Sequence, residues 1–273
     1  MSMEEEEENA HTLPPAPATV SPSISRKISI HQLVEADRAQ NIPAVLQRTP
    51  ALINSHNKEG YTPLHTACLK GLEECVQVLL QVGMNQSPKI EINAKDSTGW
   101  SPLHCASLNG HLACVELLIQ NNADVNAVTN NGSTALHYAA SWGRLDCMKI
   151  LVDAGCKVDQ RSTYSGQTPL HVATSKGYTH CVNYLLQKGA NVIEVDTRGR
   201  SSLDLAKIEA HEDIADMLIE YKRMVPWYRR WKAFLCCQGS GELYSALPAS
   251  PVKPDRLRRD SAPVHRDISL LST

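Results

Sequence analysis

The tetrapeptide Thr62-Pro63-Leu64-His65 returns four more times along the chain, and it decides the fold. The later copies are Ser101-Pro102-Leu103-His104, Thr134-Ala135-Leu136-His137, Thr168-Pro169-Leu170-His171 and a faded Ser201-Ser202-Leu203-Asp204. They start 39, 33, 34 and 33 residues apart, a period that indicates an array of one small unit rather than a single globule. A repeated tetrapeptide is a structural device, whereas a catalytic constellation is usually single. The pattern therefore argues against an enzyme.

Each copy opens a unit that the sequence divides into two short helices. Thr or Ser is suited to cap the first helix, proline in its first turn costs no hydrogen bond, and a glycine six residues after the histidine supplies the stop. A second apolar stretch follows at helical spacing, for example at residues 114–119. Neither helix can bury its apolar face alone, so the units must stack.

The unit resembles the ankyrin repeat, and the stretch at residues 99–111, followed by 122–127, carries the resemblance almost position by position. About six units fit between residues 30 and 222. The first, around residues 33–46, is divergent, and in the last the histidine becomes Asp204 and the glycine becomes Ala210. The resemblance implies an all-α ankyrin-repeat solenoid of helix-turn-helix units with short β-hairpin-like loops.

Composition limits which residue types can fill the core and indicates the cellular compartment. Aromatic residues make up 5% of the chain, so leucine, alanine, valine and cysteine must fill the core. No run approaches the roughly 18 apolar residues of a membrane-spanning helix, and the N-terminus carries glutamates where a secretory signal would need basic and then apolar residues. We expect a cytosolic chain whose nine cysteines are reduced.

Charge is distributed unevenly along the chain. Residues 1–29 carry five acids and two bases, residues 30–221 carry 20 acids and 15 bases, and residues 222–273 carry four acids and ten bases. We expect disorder in the acidic, proline-rich N-terminus (1–29) and in the basic tail rich in serine and proline (239–273). The basic end suggests an anionic membrane or an acidic protein as its target, and nucleic acid is not expected as a partner.

The recurring histidines and cysteines could suggest a metal or catalytic site, but their positions favour structure. The resemblance implies that the histidines hydrogen-bond within and between neighbouring hairpins. Cys75, Cys114, Cys147 and Cys181 share one repeat position, so they should form a ladder with steps of about 10 Å, which is too long for one zinc ion to collect them. No phosphate loop, nucleophile elbow or carboxylate pair appears, so we predict no cofactor, no metal and no catalytic residue.

The resemblance places the partner-binding surface on the concave face, formed by hairpin tips and the outer faces of first helices. The predicted contact residues are Tyr61, Trp100, Tyr138, Trp142, Lys176 and Arg200. Large aromatic side chains dominate many interfaces, so Trp100, Tyr138 and Trp142 form the centre of this hypothesis. The alternative is that Trp142 merely covers the neighbouring helix.

The 39-residue spacing places about six extra residues around positions 85–90. The insertion falls between one unit's second helix and the next hairpin, so we predict a longer surface loop there.

An aromatic, basic segment follows the array at residues 223–238 and ends in the pair Cys236-Cys237. If this segment is helical, its aromatic rings lie on one face, and basic side chains that can bind anionic lipid lie beside them. The predicted membrane-contact residues are Trp227, Arg229, Arg230, Trp231, Lys232 and Phe234. The cysteine pair resembles an S-palmitoylation site. The sequence thus favours a non-enzymatic adaptor tethered to the cytosolic face of a membrane. The alternative is a soluble cytoplasmic or nuclear regulator, with this segment capping the array.

Three short patterns resemble modification sites. Ser29 and Ser261 each follow basic residues by two and three positions, as basophilic kinases require, and phosphorylated Ser261 would resemble a 14-3-3 docking site. Asn126 lies eight residues after Leu118 in a stretch that resembles the target of the asparaginyl hydroxylase acting on ankyrin repeats.

Overall fold

The structure, a computed structural model, describes residues 29–223 and contains twelve α-helices within that range, paired in six consecutive units. The helices are α1 (Ile30–Glu35), α2 (Ile42–Arg48), α3 (Pro63–Lys70), α4 (Glu73–Asn85), α5 (Pro102–Asn109), α6 (Leu112–Gln120), α7 (Ala135–Ser141), α8 (Leu145–Asp153), α9 (Pro169–Ser175), α10 (Thr179–Gln187), α11 (Ser202–Ile208) and α12 (212–223). The all-helical repeat fold predicted from the sequence is confirmed. None of these helices is long and apolar enough to cross a membrane.

The first helix of each repeating unit begins as the tetrapeptide predicts. In α3, the hydroxyl of Thr62 accepts the backbone N–H of His65, and the His65 ring accepts the backbone N–H of Thr62. Reciprocal bonds of this kind satisfy donors that a helix start would otherwise leave unpaired. The same capping box opens α5, α7, α9 and α11.

Helices pack in two rows, and each row is made of helices from successive units. First helices contact first helices along the series from α1 to α11, and second helices contact second helices from α2 to α10. The largest side chains that are completely buried are leucines, isoleucines and one methionine, Met148. The core is therefore aliphatic, as the low aromatic content predicts.

Five short turns join the units, and we call them tips 1 to 5, at residues 57–61, 96–100, 129–133, 162–167 and 196–200. Each tip is closed by a bond from its first backbone N–H to its last carbonyl, as between Asp96 and Trp100 at 2.9 Å. Successive tips are also bonded to each other: Asn130 donates to Thr98 at 3.0 Å, Thr163 to Asn131 at 2.8 Å, and Thr197 to Ser165 at 2.9 Å. Tips 2 to 5 therefore form one hydrogen-bonded row.

The insertion at residues 85–90 is only partly the surface loop that the sequence predicts. Helix α4 has 13 residues where α6, α8 and α10 have nine, so it passes Gly83 and ends at Asn85. Ile90 is buried and donates its backbone N–H to the Gly83 carbonyl at 3.1 Å. Because glycine has no side chain, Ile53 and Ile90 can pack directly on α4 at that point. Within the insertion, Asn85 and residues 87–89 are exposed.

The two terminal units form the capping hydrogen bonds at the start of their first helices. Unit 6 lacks the histidine bond that would bridge to a further unit. In unit 1, Ser29 caps α1, and His31 rather than an N3 histidine reaches the next carbonyl, that of Ser55 at 3.0 Å. In unit 6, Asp204 bonds the Ser201 hydroxyl at 2.6 Å and its backbone N–H at 2.9 Å. A carboxylate can form these capping bonds, but it is too short to bridge to another unit.

Candidate functional site

The four buried histidines of the tetrapeptide connect each unit to the next unit. In His137, Nδ1 accepts the backbone N–H of Thr134 at 3.1 Å, so Nε2 carries the hydrogen and donates to the Gln167 carbonyl at 3.1 Å. His65 and His104 make the corresponding bonds to the carbonyls of Trp100 and Ser133, the last residues of tips 2 and 3. His171 bonds the carbonyl of Glu194, which precedes tip 5. Burial lowers the pKa of His104 and of His137 to about 4. These side chains are neutral connectors, in agreement with the structural role that the resemblance implies.

The cysteine ladder consists of buried thiols. Burial raises the pKa of Cys75 to about 12 and those of Cys114, Cys147 and Cys181 to about 11. A thiol is nucleophilic only as a thiolate, so these groups act as small apolar side chains at neutral pH. Among residues 29–223, no three His, Cys, Asp or Glu side chains are placed to hold a metal ion.

Trp100 and Tyr138 come together on the surface formed by tips and first helices. Their ring centroids lie 4.3 Å apart at 45°, and the Tyr138 ring meets His104 edge-on at 5.7 Å. Trp100 ends tip 2 while Tyr138 lies on α7, so the pair spans two units. Both side chains are half-buried, which leaves part of each ring accessible.

Trp142 lies one helical turn after Tyr138, at the end of α7, and is 55% exposed. It takes no part in the ring contacts of Trp100 and Tyr138. Lys176, which occupies the equivalent place at the end of α9, is also exposed. The structure therefore places an accessible indole beside the aromatic pair, while its contact with a partner stays a prediction.

Tyr61 and Arg200, also predicted contact residues, are engaged within their own units. The Tyr61 ring stacks on His65 at 5.9 Å, and the Arg200 guanidinium bonds Asp196 Oδ2 through Nη2 at 2.7 Å and Nε at 2.9 Å. Burial would raise the pKa of Asp196, but bonds from Arg200 and from backbone N–H groups lower it. Arg200 thus stabilises tip 5, and a role in partner binding stays a prediction.

Asn126, the predicted hydroxylation site, belongs to a ladder of side chains that join neighbouring units. Its Oδ1 accepts the backbone N–H of Lys157 at 2.9 Å, and its Nδ2 lies 3.4 Å from the Gly155 carbonyl. The corresponding acceptors are Asn54, Asn93 and Asp159, which accept from Glu91, Asp124 and Asn191. At the same place in the last unit stands Ile193, 59% exposed. Hydroxylation of Asn126 stays a prediction.

No sequence pattern identified Tyr164, the most exposed large apolar side chain among residues 29–223 at 72%. The available signal was the 34-residue spacing between two copies of the tetrapeptide, one more than in the neighbouring intervals.

Ser29, a predicted phosphorylation site, is within the described range and caps α1. The predicted acylation pair, the membrane-contact residues at 227–234 and Ser261 lie outside the described residues.

The comparisons with known proteins agree with the repeat geometry. A family model described as ankyrin repeats in three copies matches residues 30–129, 87–162 and 155–225. No curated protein matches the chain.

Proposed function

The chain belongs to the ankyrin repeat family, whose repeats generally mediate protein–protein interactions, and from this premise we propose that it is a non-enzymatic adaptor. Its partner binds the concave face made by tips and first helices. The observation that carries the proposal is the exposed Trp142 next to the Trp100–Tyr138 pair. Rigid aromatic side chains bury a large area with little loss of side-chain entropy, which is why they dominate binding energies.

We expect Trp142→Ala to weaken partner binding by about 30-fold or more, the size typical of an aromatic hot spot. The partner is first identified by proximity labelling with the full-length chain, and affinities are then measured by calorimetry with purified proteins. Because Trp142 is 55% exposed, its removal should leave the helical circular dichroism and the thermal midpoint nearly unchanged.

Leu112→Ala is the matched control, since Leu112 is an exposed apolar residue, at 39%, on the second-helix row. It should change the affinity less than about threefold. Trp100→Ala serves as a second probe, although the loss of its contact with Tyr138 should also lower stability. Equal affinities for the wild type and a folded Trp142→Ala variant would reject the proposed contact centre.

We further propose that the segment at residues 223–238 tethers the adaptor to a cytosolic membrane surface. Its support is sequence chemistry: rings and cations in one short segment, followed by Cys236-Cys237. A single acyl chain binds membranes weakly, whereas two give stable anchoring. The proposed localisation is therefore the cytoplasm, at the membrane.

The double variant Cys236→Ser, Cys237→Ser should move the protein from the membrane fraction to the soluble fraction and abolish thioester-linked label in an acyl-exchange assay. Cys156→Ser is the control, because Cys156 is buried in the array and cannot be acylated in the folded protein. A wild-type protein that is already soluble and unlabelled would favour the alternative, a soluble cytoplasmic or nuclear regulator with phosphorylated Ser29 and with Ser261 bound by a 14-3-3 protein.

A further inference from the structure

Tip 4 differs from the other tips in length. The closing bond joins residues four positions apart in tips 1, 2, 3 and 5, but five positions apart in tip 4, from Ser162 to Gln167 at 2.9 Å. The additional residue leaves Tyr164 at the outer end of the turn with 72% of its surface exposed. A ring that is this exposed contributes little to the stability of the fold. Its presence at the end of tip 4 therefore calls for an explanation other than packing.

The backbone that carries Tyr164 is held from two sides. Arg161 donates from Nε to the Gly166 carbonyl at 3.2 Å and from Nη2 to the Val195 carbonyl at 2.8 Å. Inside the turn, the hydroxyls of Ser162 and Ser165 are bonded at 2.6 Å. These bonds tie tip 4 to itself and to the segment leading into tip 5. A ring presented on a loop that is already ordered loses little entropy when it binds.

Tip 5, which is bonded to tip 4 through Thr197 and Ser165, presents one charge that its own ion pair does not neutralise, that of Arg198. Glu194 is paired with Arg161 at 3.4 Å, and Asp196 is 4% exposed and paired with Arg200. The acids of this region are therefore committed to arginines of the same chain. At the outer end of tip 5 stands Arg198, exposed, where tips 2 and 3 have neutral Thr98 and Asn131.

We infer that tips 4 and 5 form a second contact site for an acidic protein segment, in which an apolar residue packs on the Tyr164 ring and a neighbouring carboxylate pairs with Arg198. The inference rests on the proposed function, because it extends the same tip and first-helix surface. Complementary charge at the edge of an interface mainly contributes to specificity and association rate. A polyanion such as nucleic acid is disfavoured, since residues 30–221 carry 20 acids against 15 bases.

A displayed library of random 16-residue peptides selected on the full-length chain tests the site. We expect enriched peptides to combine Asp or Glu with an aromatic or aliphatic residue. Tyr164→Ala and Arg198→Glu should each weaken such peptides about tenfold or more, and selection on the Arg198→Glu variant should lose the preference for acids. Asn131→Ala, at the outer end of tip 3, is the control and should change affinity less than about threefold.

The first two outcomes of the selection distinguish this inference from the proposed contact centre at Trp142. Peptides that require Trp142 but bind Tyr164→Ala and Arg198→Glu normally would overturn this inference and leave the proposed contact centre standing. Peptides that require Tyr164 and Arg198 but not Trp142 would support the second site and count against that centre. A selection without any enriched sequence would count against both.

Discussion

Gly132→Ala should destabilise the array by about 3 kcal/mol, whereas the same substitution at Gly199 should cost about 1 kcal/mol. Both glycines are the fourth residue of a tip, and their φ angles are 73° and 72°. An alanine therefore meets the same left-handed strain at either position. The two sites differ in what lies beyond them.

A Cβ atom at Gly132 would lie 2.5 Å from the backbone nitrogen of Thr163 and would also overlap the Thr163 hydroxyl. Thr163 cannot simply withdraw, because its N–H donates to the Asn131 carbonyl at 2.8 Å. At Gly199 a Cβ atom would meet nothing within 4 Å. The difference in destabilisation between Gly132→Ala and Gly199→Ala therefore measures the contribution of close packing between successive tips, without the backbone strain that both variants share.

Urea unfolding of the full-length variants, followed by far-ultraviolet circular dichroism, supplies the comparison. Wild-type and Gly199→Ala curves should be close together, and the Gly132→Ala midpoint should be clearly lower. Equal destabilisation at the two positions would show that tip-to-tip packing contributes nothing beyond the glycine backbone.

Acid should destabilise the array before most of its carboxylates are protonated. The unfolded chain binds protons at histidine near pH 6.5, whereas burial lowers the pKa of His104 and His137 to about 4 in the folded chain. Between these values the unfolded state holds more protons, so the free energy of unfolding falls as the pH falls. From pH 7 to pH 4.5 each of the two histidines should remove about 2.5 kcal/mol.

Other groups do not reverse this direction within the window. Burial also lowers the pKa values of His31, His65 and His171, which adds to the loss. The pKa of Asp204 is lowered by its bonds from Ser201, and that of Asp196 is lowered by Arg200, so their stabilising contributions disappear only below the window. The loss between pH 6.5 and 4.5 therefore reports the histidines.

Urea titrations at pH 7.0, 6.0, 5.0 and 4.5 test this expectation on the wild type and on His137→Gln. The variant should be less stable at pH 7 because it loses the connection to Gln167. Its decline toward pH 4.5 should, however, be smaller by about 2.5 kcal/mol. A decline of the same size in both proteins would mean that His137 is not the group that takes up the proton.

The tetrapeptide predicted the helix starts, and together with the glycine and the second apolar stretch it predicted the two-helix units, because capping and helical periodicity are local consequences of residue type and spacing. The bonding role of the histidines was implied by the resemblance to the ankyrin repeat. The sequence placed Trp100 and Tyr138 on the same surface in neighbouring units. It could not predict that their rings touch, because ring geometry depends on side-chain rotamers. Arg200 shows the limit of position-based reasoning, since the pairing with Asp196 depends on how its tip turns.

The structure departs from the sequence prediction at two places for the same reason, which is that a change of repeat spacing does not determine the structure of the extra residues. Helix α4 continues past Gly83 to Asn85, because Gly83 accepts the packing of Ile90 instead of ending the helix, and the loop proper is confined to residues 86–89. In tip 4 a single additional residue pushes Tyr164 outward. The sequence predicted a loop over all six residues at 85–90, and it gave no prediction for Tyr164.

The side-chain ladder between units also determines where a repeat unit can be added to the array. Its acceptors are Asn93, Asn126 and Asp159, and Ile193 stands at its end. A duplicated copy of an interior unit would bring its own acceptor, capping hydroxyl and bridging histidine, so its junctions on both sides would be formed by residues already suited to them. A copy added after the sixth unit would meet Ile193 and Asp204, which offer its backbone and its tip no matching partner. Lengthening of this protein by duplication is therefore favoured in the middle of the array and opposed at its C-terminal end.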